Sequence, residues 1–160
     1  MRPVADAIIT NIPGPVLGIL TADCVPAFFW DPVKKAAGLA HAGWRGLTAG
    51  ILEKMILKML ETFDSNPRDI QVAFGPFIRT CCYEVGKEFA EIFPRFYVSS
   101  SPEKGRMDLA AAGRERIFKE GIRRENFQDL EICTLCRRDA FFSARAGDSD
   151  ERILSLIQIR

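Results

Sequence analysis

Cys24 and His41 are the residues of this chain whose types and placement promise chemistry. His41 is the only histidine, and both residues sit where an apolar run meets a polar turn. A thiolate and an imidazole brought together form either a metal site or a nucleophilic dyad. The sixteen residues between them fit no zinc finger, whose ligands come in two close pairs. Catalytic zinc tolerates long gaps but takes three protein ligands and a water, so two ligands are named and one is missing. In a dyad, Cys24 would be the nucleophile and His41 its base, as in metal-free cysteine hydrolases. The unreactive alternative is a buried thiol beside a structural histidine, since free cysteine is among the most buried residue types.

The turn after His41, Ala42-Gly43-Trp44-Arg45-Gly46-Leu47-Thr48, adds a second feature. Gly43 and Gly46 let backbone amides approach a ligand, and Arg45 contributes a fork of donors. A helix beginning near Leu47 would aim its positive end at the same place, so a phosphate or carboxylate could be held there. The competing reading is a tight strand-to-helix turn with Arg45 in a surface ion pair. Cys81-Cys82 and Cys133-Thr-Leu-Cys136 invite a four-thiolate metal site or a redox pair. Vicinal cysteines do not readily serve as two ligands of one tetrahedral ion, and a lone C-x-x-C is weak. These four are therefore expected to be structural or buried thiols. GxSxG, GxGxxG, GxxxxGK[ST] and H-x-E…P-C-x-x-C are all absent. A serine hydrolase, a dinucleotide or P-loop site and a nucleobase deaminase are thus unsupported.

The elements that must position Cys24 and His41 form a hairpin. Val16–Leu20 reads as a strand before Cys24. Val25–Trp30 rises, Asp31-Pro32 turns and Ala36–Ala40 returns, so the far ends carrying Cys24 and His41 meet. Ala5–Thr10 is an earlier strand. A helix is predicted from about Leu47 to Phe63, with Leu47, Ile51, Met55, Met59 and Phe63 recurring every four residues. Ile70–Phe74 is a strand, and Glu84–Phe93 a shorter helix stopped at Pro94. Ser99–Gly105 reads as the most mobile stretch. Asp108 caps a helix through Glu120, with Gly121 at its end. Leu130–Cys133 and Ile153–Ile159 are late strands flanking a loop over Arg137–Asp150. Strands and helices interleave around an antiparallel hairpin, so a single-domain, mixed-sheet α/β (α+β) sandwich is expected over residues 1–160.

Composition narrows the partners. With 22 basic and 21 acidic residues, the net charge is +1, which gives no electrostatic reason to expect nucleic acid or a membrane surface. No apolar run approaches a membrane span, and the opening residues do not read as a secretory leader. Five cysteines, an odd number, argue for reduced thiols. A soluble, cytoplasmic protein is expected.

Read together, TADCVPAFFWDP, AAGLAHAGWRGLTAGILEKMI, GPFIRTCCYEVG and, more loosely, CTLCRRDAFFSARAGD resemble the laccase-domain family (multicopper polyphenol oxidase laccase-like, YfiH-like). The resemblance implies a CNF1/YfiH-like fold and a zinc enzyme of purine nucleosides. Its reactions would be phosphorolysis of adenosine, inosine and methylthioadenosine, with deamination of adenosine. Some relatives are described instead as peptidoglycan-precursor editing factors. The resemblance also implies a His-Cys-His metal set, with Cys24 as the cysteine and His41 as the second histidine. The first histidine falls in an upstream Gln-Val-His segment, so an N-terminally shortened chain is expected, along with exposed apolar surface and self-association. Arg45, Gly43 and Gly46 are the candidates for holding phosphate, with Arg79 and Cys82 bordering the pocket. Copper is less expected than zinc, because multinuclear copper oxidases need many histidines. A cysteine hydrolase and an inactive remnant are the competing readings.

Overall fold

The computed structural model describes residues 5–148 and 150–160. Its centre is a five-stranded sheet in the order β1-β4-β3-β5-β9: β1 is Ala7–Thr10, β3 Val25–Asp31, β4 Ala36–Ala42, β5 Gln71–Phe74 and β9 Phe127–Asp129. All its pairings are antiparallel except β5 with β9. The mixed-sheet α/β (α+β) sandwich expected from the sequence is the architecture found.

The β3–β4 hairpin forms because nearly every residue of both strands is apolar and buried, which requires cover on both faces. Its turn is fixed by Asp31, whose Oδ1 accepts from the amides of Val33 and Lys34 at 2.9 and 3.0 Å. One face is covered by α2 (Ile51–Phe63), which buries Leu52, Met55, Ile56 and Met59. Gly38 admits that helix, since a Cβ there would lie 3.1 Å from Met55 Cε and 3.0 Å from Ile9 Cγ2. On the other side of β4 runs a two-stranded ribbon of β2 (Val16–Thr21) and β10 (Ile153–Gln158), in register from Thr21↔Ile153 to Val16↔Gln158.

The helix expected over 47–63 is interrupted. A one-turn α1 (Trp44–Thr48) precedes α2, and the break falls at Gly50, whose φ of 74° suits a residue without a Cβ. The helix expected over 84–93 is mostly absent. β6 (Glu84–Gly86) is followed by a single turn, α3 (Phe89–Ile92). Periodic Val85, Phe89 and Phe93 do face the core, but β6 finds a partner in β8 (Lys104–Met107), and tertiary pairing overrides the local pattern. β7 (Tyr97–Ser99) completes that sheet, so part of the stretch read as mobile is strand. Asp108 caps α4 (Leu109–Lys119) as expected, Oδ1 accepting from the Ala111 amide at 2.9 Å. The strand read at 130–133 is displaced to β9, leaving one parallel bridge between Phe77 and Cys133. Among the described residues, no helix is long and apolar enough to cross a membrane.

Candidate active site

The register of the hairpin positions the site. Val25 pairs with Ala42 and Pro26 with His41, so Cys24, one residue before β3, faces Gly43, one residue after β4. A Cβ on Gly43 would lie 2.7 Å from Cys24 Sγ and 3.9 Å from His41 Nε2. The thiol and the imidazole therefore both border Gly43, and the thiol's close approach is possible only because residue 43 has no side chain. His41 Nδ1 faces Asp6 Oδ1 at 3.3 Å, and the His41 amide donates to the Asp6 carbonyl at 2.7 Å. With Nδ1 engaged, Nε2 is the nitrogen left beside Gly43 and Cys24, the outer-shell arrangement typical of ligating histidines.

Cys24 is held by its neighbour. Asp23 adopts a φ of 81°, and its buried carboxylate accepts the Thr134 hydroxyl at 2.6 Å and the Arg145 amide at 2.8 Å. The Asp23 carbonyl accepts from the Ile78 amide at 3.0 Å. These contacts draw three distant segments around a cavity of about 270 Å³, lined by Cys24, Trp44, Ile78, Tyr83, Leu109 and Arg145 among others. Burial pushes the Cys24 thiol up, the carboxylates of Asp23 and Asp6 push it further, and Arg45 opposes them. The thiol is thus protonated at neutral pH unless a cation compensates. Burial likewise pushes the Tyr83 phenol up to about 12 against the opposing charge of Arg145, keeping it a hydrogen-bond donor.

The remaining residues singled out from the sequence lie at different distances from this centre. Arg45 is exposed and stacks over the Trp44 ring, 4.6 Å from its centroid. Gly46 lies beneath the hairpin end, where a Cβ would meet the His41 carbonyl and Ile51 at 3.3 Å. The helix that begins here is α1, five residues long, too short for the dipole expected to hold an anion. Arg79 lies outside the Cys24 cavity: Nη1 bonds both oxygens of Asp129 at 2.8 Å, and the guanidinium sits over Phe77. Cys82 joins Cys81, Cys133 and Cys136 in one cluster of thiols; of the four expected to be structural or buried, Cys133 is buried, Cys82 half-buried, and Cys81 and Cys136 are exposed.

Asp6, Asp23, Tyr83 and Arg145 are functional candidates that residue types alone did not single out. Asp23 and Arg145 fall inside the TADC and SARAGD motifs, which was the available signal. Nothing in the local sequence marks Asp6, because its partner is set by strand pairing.

A model of the multi-copper polyphenol oxidoreductase laccase family matches residues 1–160. A protein of Bacteroides thetaiotaomicron named purine nucleoside phosphorylase is 38% identical over 163 residues, covering 96% of this chain and 60% of that one. The human purine nucleoside phosphorylase LACC1 is 37% identical over 147 residues, covering 86% of this chain and 34% of that one. The crystal structure of YlmD from Geobacillus stearothermophilus superposes with a TM-score of 0.93 at 33% identity, covering 99% of this chain and 62% of that one. The chain therefore spans about a third of the human relative's length and about six tenths of the bacterial one's. With the family match running from end to end and the fold shared throughout, this chain belongs to the multi-copper polyphenol oxidoreductase laccase family.

Proposed function

We propose that this chain carries the metal-binding half-site of a zinc-dependent purine nucleoside phosphorylase acting on adenosine, inosine or methylthioadenosine, with deamination of adenosine as a second activity. The observation that carries the proposal is that Cys24 Sγ and His41 Nε2 both border Gly43. A soft thiolate and a borderline imidazole suit zinc, and Cys24 and His41 would hold it. The relatives' names support the reaction class. When bound, the ion supplies Lewis-acid polarisation of a water or of charge developing on the substrate.

The chain's own residues account for binding and orientation. Trp44 and Tyr83 offer aromatic walls to a purine, and a cavity near 270 Å³ is at the small end of ligand sites, suited to a base or a sugar. Tyr83, protonated at neutral pH, can donate to a ring nitrogen or a sugar oxygen. In phosphorolysis a phosphate oxygen bonds to the ribose C1′ while the bond to the purine nitrogen breaks, the electron pair leaving with the base. Arg45, with the amides of the Gly43–Gly46 turn, is the proposed phosphate holder, and Arg145, whose guanidinium lies over the Tyr83 ring, also lines the cavity. Asp6 holds His41 in orientation.

The relatives' names favour this reading over a metal-free cysteine hydrolase, in which His41 Nε2 would be the base for the Cys24 thiol. Catalytic zinc takes three protein ligands, and the proposed third is the upstream histidine of a Gln-Val-His segment. The test compares residues 1–160 with the same chain extended by that segment, assaying phosphorolysis of the three nucleosides with phosphate and zinc supplied. Turnover by the extended chain that Cys24→Ser abolishes is the expected result. Full turnover in the Cys24→Ser variant overturns the proposal.

A further inference from the structure

The four cysteines outside the candidate active site converge at a separate place on the molecule. The sulfurs of Cys81, Cys82, Cys133 and Cys136 all lie within 4.8 Å of one another. Cys136 Sγ is 3.7 Å from Cys81 Sγ and 3.4 Å from Cys82 Sγ. A tetrahedral ion with metal–sulfur bonds of about 2.3 Å requires sulfurs about 3.8 Å apart; the two Cys136 spacings lie just inside that edge, and none of the others exceeds 4.8 Å. We propose that these four thiols form a tetrathiolate site for a soft divalent metal, zinc by preference, independent of Cys24 and His41.

Two turns make the site possible. The C-x-x-C segment winds through one turn, closed by the Arg137 amide donating to the Cys133 carbonyl at 3.0 Å. Cys133 and Cys136 thereby share a face, as in zinc knuckles. The amides of Cys82 and Tyr83 both donate to the Arg79 carbonyl at 2.8 Å, folding the chain so tightly that the vicinal thiols both reach Cys136. That turn removes the objection that neighbouring cysteines splay away from a common ion. The outer shell is also suited to thiolates. The Arg79 amide donates to Cys133 Sγ at 3.4 Å, and Arg106 anchors the turn by donating to the Cys81 carbonyl at 2.6 Å. Four thiolates about one divalent ion leave a net negative charge, beside which the Arg106 guanidinium stands at the Cys81 carbonyl, while Arg79 and Arg137 are paired with Asp129 and Asp139. Four thiol protons pass to solvent as the ion enters. An open groove of about 520 Å³, lined in part by Cys81, Cys133 and Cys136, gives it access.

The site joins two segments that wall the Cys24 cavity. Cys81–Cys82 lies between Ile78 and Tyr83, which both line it. Next to Cys133 is Thr134, whose hydroxyl holds the Asp23 carboxylate. A metal here staples the two walls from behind.

The test uses the full chain, reduced and stripped of metal, in a Cys24→Ser/His41→Ala background that removes the other candidate ligands. Cobalt(II) and then zinc are titrated, reading tetrahedral cobalt–thiolate absorption, metal per chain and alkylation of each cysteine by mass spectrometry. The expected result is one equivalent of metal, with zinc protecting all four thiols from alkylation. Affinity should fall at least tenfold in Cys136→Ser and, separately, in Cys81→Ser; both are exposed positions whose replacement leaves the core intact, checked by circular dichroism. No cobalt–thiolate band in the background, or an undiminished equivalent of metal in both serine variants, overturns the proposal. So does a Cys82–Cys136 disulfide that forms equally fast with and without zinc. Because Cys24 and His41 are absent from the background, failure here leaves the active-site reading standing, and failure there leaves this one.

Discussion

Gly43 is the position at which the candidate site is most sensitive to a single atom. A methyl group there would sit 2.7 Å from Cys24 Sγ, closer than van der Waals contact allows. Gly43→Ala is expected to expel metal from Cys24 and His41 while leaving the fold within about 1–3 kcal/mol of the parent. Elemental analysis in a Cys136→Ser background, beside a urea titration, separates the two effects; retained metal would show that the binding point lies away from Gly43. Asp6→Asn tests the outer shell. Loss of the carboxylate facing His41 Nδ1 should weaken metal binding about ten- to a hundredfold. Arg45→Met should raise the requirement for phosphate by about ten- to a hundredfold, the 1.5–3 kcal/mol typical of a charge-assisted contact, with little change in that for nucleoside. An unchanged phosphate dependence would return Arg45 to its contact with Trp44. The pH dependence has a definite sign. Because burial and two carboxylates raise the Cys24 thiol, the metal must displace a proton, so its affinity should climb about tenfold per pH unit through neutrality.

At the scale of elements, the site depends on where helices and strands are allowed to stop. Gly50 separates α1 from α2 with a φ of 74°, and α1 bears Arg45. Gly50→Ala places a Cβ in the left-handed region and should destabilise the chain by about 1 kcal/mol or more. Asp108→Ala should remove the cap of α4 at a similar cost, about 1 kcal/mol, read from a denaturant midpoint at constant slope. The hairpin, its turn and this cap were legible in the sequence because each is decided by residues within a few positions of one another. What escaped was decided at long range. Val85, Phe89 and Phe93 fit a helix, yet β6 is claimed by β8. Asp6 reaches His41 only through the pairing of β1 with β4, which sets Ala7 against Ala40. The four clustered thiols come from segments some fifty residues apart, and no spacing rule joins a vicinal pair to a C-x-x-C.

At the scale of the whole molecule, the outer face of the β2–β10 ribbon is apolar. Leu20 pairs with Leu154 and Gly18 with Leu156, and Val16, Leu20, Leu154 and Leu156 are all more than half exposed. Four large side chains grouped on one face exceed what scattered surface hydrophobics explain. Residues 1–160 are therefore expected to self-associate with rising concentration, and Leu20→Lys with Leu154→Lys should return the chain to monomer in sedimentation equilibrium. A monomer at all concentrations in the parent would refute this.

The Asp23 carboxylate has a consequence for the order in which the protein is made. It takes its hydrogen bonds from Thr134 and Arg145, 111 and 122 residues further along, whereas Cys24 and His41 are joined by a local hairpin. Local pairings close quickly and distant ones slowly. On a ribosome, the hairpin can emerge and close while the residues that wall the cavity are still unsynthesised. An ion captured at that stage meets a thiol and an imidazole on an open ribbon, with no cavity to select what binds beside it. Selectivity arrives only when residues 134 and 145 dock on Asp23, so residues translated more than a hundred positions later complete a site whose thiol and imidazole have already met.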